Sequence, residues 1–147
     1  MSHPPVTPSI TLTRRVKADP ESLFRAWTSP KEIEKWAFPE GGAFVSASVD
    51  LTVGGRYSIA MKMSDGTTHT AVGVYRVIDR PRKLVYTWDW KEQGGQMGDT
   101  IVTVEFRAAG RATDIVLTHE RFPNAEVRGH HEQGWISLLN HVEKAFA

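Results

Sequence analysis

Residues 130–147 read HHEQGWISLLNHVEKAFA, and their apolar side chains recur at steps of three and four. This spacing places them on one face and predicts a long amphipathic helix at the end of the chain. Since a glycine inside a helix costs roughly 1 kcal/mol relative to alanine, we expect Gly134 to allow a close approach of the helix backbone to a sheet. The predicted apolar face comprises Val127, His131, Gly134, Trp135, Leu138, Leu139, Val142, Ala145 and Phe146.

Two short helices are predicted after a first strand at Ser9 to Val16. Asp19-Pro20-Glu21 supplies an N-cap, a proline at the first helical position and an acid in the first turn, and this helix is expected to end near Thr28. Ser29-Pro30-Lys31-Glu32 has the pattern of a capping box. It predicts a second short helix that ends before Pro39.

From Gly42 onward the apolar period changes from helical spacing to two, which predicts strands. Gly54-Gly55, Asp65-Gly66 and the glycine-rich EQGGQMGD loop separate these runs as turn signals. Short connections of this kind predict an antiparallel meander. The predicted strands are Phe44–Val53, Tyr57–Met63, His69–Ile78, Lys83–Trp90, Thr100–Arg107 and Thr113–Glu120.

A sheet with one apolar face requires a cover, and the C-terminal helix is the only element long enough to supply it. The predicted fold class is therefore α+β, with a curved antiparallel sheet of about six to seven strands around a long C-terminal helix. Polar alternation places Thr87 and Asp89 on the outer face, with Asp89 in solvent. The expected inward side chains are Tyr86, Trp88, Trp90, Val102, Val104, Phe106, Ile115, Leu117 and His119.

Length and composition limit the number of domains and the kinds of partner. The 147 residues suit a single domain, which we place at residues 9–147 after a flexible tail at residues 1–8. A formal charge of +1 with interspersed acids and bases argues against nucleic acid and anionic membrane as partners. There is no cysteine, no N-terminal signal pattern and no apolar run of membrane-spanning length, so we expect a cytoplasmic protein.

The chain resembles a known family in a series of segments that follow one another from Ile10 to Phe146. They are DPESLFRAWTSPKEIEKW, VGGRYSIAM, SDG, GVYRVIDRPRKLVYTWDW, VTVEF, LTHERF and GHHEQGWISLLNHVEKAF. Their order and spacing resemble the family named after the activator of heat-shock-protein-90 ATPase homologue, within the START-like, helix-grip (SRPBCC) superfamily. This resemblance implies a helix-grip fold and leaves the function open, because one fold hosts many functions.

Helix-grip domains commonly leave a cavity under the final helix, so the resemblance implies a binder of a small hydrophobic or aromatic molecule. The same aromatic residues would also fill an ordinary solid core. Met61, Met63 and Met97 have flexible thioethers that suit an adaptable wall. The candidate cavity residues are Trp36, Tyr57, Ile59, Met61, Tyr75, Trp88, Val102, Val104, Phe106, Leu117, His119, His131, Trp135, Leu138 and Leu139.

His119 and His131 are both expected to point inward, where they could meet as acid–base groups or as hydrogen-bonded structural histidines. We prefer the structural interpretation. A metal site is not expected, since His130 and His131 project about 100° apart around one helix and no ligand motif is present, and no cofactor is predicted. The family resemblance implies two alternative functions: a co-chaperone module for a heat-shock ATPase, and a cyclase or dehydratase using His119, His131 or Tyr57.

Overall fold

The structure is a computed structural model that describes residues 8–93, 97–98 and 100–147. Most of the predicted tail and the predicted Gly94-Gly95 turn lie outside the described residues. In chain order the elements are β1 (Ile10–Val16), α1 (Pro20–Thr28), α2 (Pro30–Ile33), β2 (Ala43–Val49), β3 (Arg56–Lys62), β4 (Thr68–Asp79), β5 (Lys83–Trp90), a 3₁₀ turn (Lys91–Gln93), β6 (Thr100–Ala109), β7 (Ala112–Glu120) and α3 (Ala125–Ala145).

The strands form a single curled sheet in the order β1-β7-β6-β5-β4-β3-β2, and all neighbouring strands are antiparallel. Consecutive strands are adjacent from β2 to β7, which is the predicted meander, and only β1 crosses to the far edge. α1 and α2 make that crossing. The apolar stripe of α3 buries Trp135, Leu138, Leu139 and Val142. The predicted α+β helix-grip fold is confirmed.

The predicted ends of the first three elements after β1 agree with the structure at α1 and differ from it at α2 and β2. The Asp19 carboxylate accepts a hydrogen bond from the Ser22 amide at 2.8 Å and begins α1, which ends at Thr28 as expected. The prediction of a capping box at Ser29 is wrong, because the Ser29 side chain makes no hydrogen bond to the start of the helix. The second helix, α2, does begin at Pro30, but it ends after one turn at Ile33. The strand predicted to reach Val53 ends at Val49, and Val53 is 69% exposed.

The close backbone approach expected at Gly134 is wrong. Gly134 is exposed, and a Cβ atom built there meets no atom within 4 Å. Gly73 in β4 is the glycine that the packing requires, since a Cβ atom there would lie 1.9 Å from the Thr87 carbonyl oxygen. Tyr57 crosses the inner face beside Gly73 and donates its hydroxyl hydrogen to that same carbonyl at 2.5 Å. The absence of a side chain at Gly73 therefore leaves the space that the Tyr57 ring occupies.

Eight of the nine predicted inward side chains are buried, and the ninth, Trp90, is half-buried and donates its indole N–H to His131 of α3. Asp89 and Thr87, however, are not in solvent, being 5% and 3% exposed. Asp89 pairs with Val72 of β4, and its carboxylate accepts from the Trp90 amide at 2.7 Å. The Thr87 hydroxyl accepts a hydrogen bond from the Val74 amide of β4 at 2.9 Å. The alternation of polar and apolar residues along a strand does not predict side-chain to backbone hydrogen bonds of this kind.

Candidate functional site

A small cavity lies between the curled sheet and α3 and has a volume of about 20 Å³. Side chains from β3, β4 and β5 form its floor, α3 covers it, and the α1–α2 region closes one end. Apart from tyrosine hydroxyls and indole nitrogens its walls are apolar, and none of its side chains carries a charge. The lining residues are Trp27, Trp36, Ala37, Tyr57, Ile59, Met61, Tyr75, Tyr86, Trp88, Trp135 and Leu138.

The three cavity tyrosines are held as neutral phenols. Burial is the main cause that raises the pKa of Tyr57, Tyr75 and Tyr86 above the ordinary value. Their rings also pack on one another, with the Tyr57 centroid 5.2 Å from Tyr86 and 5.5 Å from Tyr75. The cavity is therefore uncharged at neutral pH, and a phenolate base is not available in it.

An open groove of about 510 Å³ lies on the outer side of the cavity, between α3 and the end of β3. Met61 and Leu138 line both spaces and are 4% and 8% exposed. These two side chains therefore separate the cavity from the groove. Gly134 lines the groove, and its missing side chain widens it. Met61 is unbranched and adaptable, so this partition is the part of the wall that can move most easily.

The segment from Trp36 to Glu40, which follows α2, is fastened to α3 beside this groove. His141 of α3 places its Nε2 atom 3.2 Å from the Glu40 carboxylate, and the Ser137 hydroxyl donates to the same carboxylate at 3.2 Å. The His141 ring stacks on Phe38 with centroids 4.1 Å apart. We call residues 36–40 the lid segment, because Trp36 and Ala37 line the cavity while Pro39 and Glu40 line the groove.

His119 lies fully buried in a chain of hydrogen bonds beside the cavity. Its Nδ1 accepts from the Trp135 indole at 3.0 Å, and its Nε2 is 2.7 Å from the Thr100 hydroxyl, which in turn donates to the Trp88 carbonyl at 2.7 Å. This arrangement is satisfied by a neutral imidazole with its hydrogen on Nε2. Burial and the nearby His131 lower the pKa of His119 to about 2.

His131 also spends both ring nitrogens on neighbours. Its Nδ1–H donates to the Val127 carbonyl at 2.9 Å, and its Nε2 accepts from the Trp90 indole at 2.9 Å. Burial is the main cause that lowers its pKa. The His119 and His131 rings do meet, with centroids 5.4 Å apart. Both are neutral and fully paired, so neither has a nitrogen free to take a proton from a bound molecule.

Eight of the fifteen candidate cavity residues line the observed cavity: Trp36, Tyr57, Ile59, Met61, Tyr75, Trp88, Trp135 and Leu138. The remaining aliphatic and phenylalanine candidates, Val102, Val104, Phe106, Leu117 and Leu139, are packed in the core, and His119 and His131 form the polar network. The sequence missed Trp27, Ala37 and Tyr86. Tyr86 had a signal, since it is one of the predicted inward side chains of the sheet.

The outer face of the sheet carries a second open depression, lined by serines, valines and three cations. Arg56, Arg76 and Lys91 are exposed there, and no salt bridge joins them to an acid within the described part of the chain. We call these three residues the outer cationic patch. Elsewhere in the described ranges no helix is long and apolar enough to span a bilayer, and no three histidines or acids cluster as metal ligands would.

Comparisons with a family model and with solved structures agree on the family and the fold of this chain. The family model described as "Activator of Hsp90 ATPase homolog 1-like protein" matches residues 17–147. A solved structure from Chromobacterium violaceum is 25% identical with a TM-score of 0.84, and the alignment covers 94% of this chain and 96% of that chain. An HSP90 activator from Plasmodium falciparum is 27% identical with a TM-score of 0.74, covering 93% and 94%.

A structure of an AHSA1 protein from Silicibacter pomeroyi is 22% identical with a TM-score of 0.81, covering 94% of this chain and 96% of that chain. At this identity the likeness concerns the fold. No curated protein sequence matches the chain.

Proposed function

The chain belongs to the family of activator of Hsp90 ATPase homolog 1-like proteins, and from that premise we propose that it binds a small, uncharged, hydrophobic or aromatic molecule between its sheet and α3. The observation that carries this proposal is the aromatic cavity that two side chains lining both spaces, Met61 and Leu138, separate from an open groove. The cytoplasmic location expected from the sequence is part of the proposal.

The present cavity of about 20 Å³ is far smaller than the 300–1,000 Å³ or so of a typical ligand site. Binding therefore requires the partition to move. Displacing Met61 and Leu138 toward the groove joins the two spaces, and the groove of about 510 Å³ supplies the room. The lid segment bounds the same opening, so its fastening to α3 controls how easily the two spaces join.

A neutral fluorescent probe, N-phenyl-1-naphthylamine, tests this proposal. We expect it to bind with a Kd of roughly 1 μM, about 8 kcal/mol, with an increase in probe emission and a change in tryptophan emission. Leu138→Trp fills the partition and should weaken binding at least tenfold. Val53→Trp adds the same side chain at a position that is 69% exposed and is the matched control.

Circular dichroism and urea unfolding of both variants establish that they remain folded. Absence of probe binding by the parent protein, or equal binding by a folded Leu138→Trp variant, would overturn the proposal. In that outcome α3 covers a solid core.

A second candidate function, contact with an Hsp90-type chaperone, is favoured by the Plasmodium falciparum relative, which is itself described as an HSP90 activator. The outer cationic patch provides a surface for an acidic partner on the face opposite the cavity. The test is the ATPase rate of an Hsp90-type chaperone with and without this protein. Stimulation that is lost in Arg56→Glu/Arg76→Glu supports this candidate, and an unchanged ATPase rate excludes it.

A further inference from the structure

One tryptophan in the cavity differs from all the others. The chain has five tryptophans, and four of their indole N–H groups donate to a protein acceptor. The acceptors are the Tyr86 hydroxyl for Trp27 at 3.3 Å, the Ala26 carbonyl for Trp36 at 2.8 Å, His131 for Trp90 at 2.9 Å and His119 for Trp135 at 3.0 Å. Trp88 Nε1 is buried and has no acceptor among the described residues.

Leaving such a donor unpaired is costly. Trp88 is 4% exposed, so bulk water does not compensate for the missing acceptor. A buried polar group without a partner typically costs about 1–3 kcal/mol, and a native core rarely tolerates one without a reason. The other four indole N–H groups each have a protein acceptor, so this fold does pair buried indoles where only stability is concerned. Four tryptophans line the cavity, namely Trp27, Trp36, Trp88 and Trp135, and of these Trp88 is the one whose N–H lacks an acceptor among the described residues.

Burial could hide the Trp88 N–H from any ligand, yet the residue borders the space where the proposed molecule would sit. Its ring contacts Trp135 at 5.2 Å and Trp90 at 5.4 Å between centroids, so it stands among the aromatic residues on the α3 side of the cavity. Trp88 is also fixed through its backbone, because the Thr100 hydroxyl donates to its carbonyl at 2.7 Å. The donor is thus held in a rigid frame before any ligand arrives, which favours binding.

We propose that Trp88 Nε1 is a recognition donor, and that the molecule bound in the cavity carries a neutral hydrogen-bond acceptor, such as a ketone, ester or ether oxygen, on an apolar or aromatic skeleton. This inference rests on the proposed ligand-binding function and names its ligand class. An anionic acceptor is unsuitable, since none of the described residues that line the cavity has a charged side chain to compensate a buried carboxylate.

A matched pair of probes isolates the acceptor. 2-Acetylnaphthalene and 2-isopropenylnaphthalene have nearly the same shape, and they differ by a carbonyl oxygen in place of a methylene group. The measured quantity is the ratio of their Kd values in the parent protein, in Trp88→Phe and in Trp27→Phe. Trp27 also lines the cavity, but its N–H is already bonded to Tyr86, so Trp27→Phe is the matched control.

We expect the preference for the ketone to fall by about fivefold or more in Trp88→Phe, as the loss of one hydrogen bond implies, and to stay unchanged in Trp27→Phe. We expect 2-naphthoate to bind the parent protein at least tenfold more weakly than the ketone. If both neutral probes bind and their ratio is the same in all three proteins, or if the naphthoate binds as tightly as the ketone, this inference is overturned while ligand binding stands. If neither neutral probe binds, the proposed function itself fails.

A second measurement does not depend on the Trp88→Phe variant being folded. The ¹⁵N–¹H spectrum of the parent protein contains one indole cross-peak for each of its five tryptophans. We expect 2-acetylnaphthalene to move the Trp88 indole proton downfield, and 2-isopropenylnaphthalene to lack this effect. Equal shifts with the two bound probes would overturn the role of Trp88 as a recognition donor.

Discussion

His119→Gln tests whether the buried histidine is a neutral structural group. In the folded protein His119 stays uncharged because burial and His131 lower its pKa from 6.5 to about 2. In the unfolded chain the same imidazole binds a proton below its ordinary pKa of about 6.5. The unfolded state therefore takes up more protons as the pH falls, so the stabilising effect is present above pH 6.5 and is lost progressively below it.

The magnitude follows from the difference in proton binding. Between pH 7 and pH 5 a group with an unfolded pKa of about 6.5 that stays neutral when folded lowers the free energy of unfolding by about 2 kcal/mol. The result depends little on the depth of the shift, because any folded pKa below about 4 gives nearly the same value over this range. His131, whose pKa is also lowered by burial, adds a further loss in the same direction.

Urea unfolding at pH 7 and pH 5, for the parent and the variant, measures this difference. The glutamine side chain of the variant does not titrate, so we expect the variant to be less stable at pH 7 but to lose about 2 kcal/mol less than the parent on going to pH 5. His130→Gln removes an exposed histidine and serves as the control. If His119→Gln loses as much stability as the parent over this range, the neutral assignment of His119 is wrong.

Three further predictions follow from the packing. Gly134→Ala and Gly129→Ala should each raise the free energy of unfolding by up to about 1 kcal/mol in urea melts, because alanine is the better helix former and neither new Cβ meets an atom; a loss at Gly134 would contradict the open geometry. Gly73→Ala should cost several kcal/mol, roughly as other overpacked core positions do, since its Cβ would lie 1.9 Å from a carbonyl oxygen. Glu40→Ala should change the free energy of unfolding by less than about 1 kcal/mol, because Glu40 is 76% exposed. Stopped-flow fluorescence should nevertheless show several-fold faster probe binding, because the variant releases the lid segment from α3. An unchanged rate would show that the contact between Glu40 and α3 does not control access to the cavity.

The fold was predictable because its signals are periodic and strong. The stripe that buries Trp135 and Leu138, and the alternation that places Val102 and Val104 inward, each depend on a regular spacing that only one kind of element satisfies. Asp19 likewise predicts the start of α1, because an N-cap is a local interaction within three residues.

The site was predictable only in part, because its decisive features depend on contacts between distant residues. Gly73 is required by a carbonyl in the neighbouring strand, whereas Gly134 lies inside the continuous helix α3 and no close contact requires a glycine there. Thr87 and Asp89 have the polarity of surface residues, but backbone amides satisfy them in the interior. No pattern along the chain indicates that Trp88, alone among the five tryptophans, lacks an acceptor in the part of the chain that the structure describes.

The two ends of the interface between α3 and the sheet differ in a way that bears on access to the cavity. Along the first half of α3, His119 and His131 are paired with Thr100, the Val127 carbonyl and the indoles of Trp90 and Trp135 through bonds of 2.7–3.0 Å. Moving that end breaks several buried hydrogen bonds together, which makes it rigid. At the groove the partition consists of Met61 and Leu138, which make no hydrogen bonds through their side chains, and the lid segment is held by contacts that include the exposed Glu40. Displacing these two side chains exposes apolar surface but breaks no side-chain hydrogen bond of theirs, so we expect a molecule to reach Trp88 from the groove.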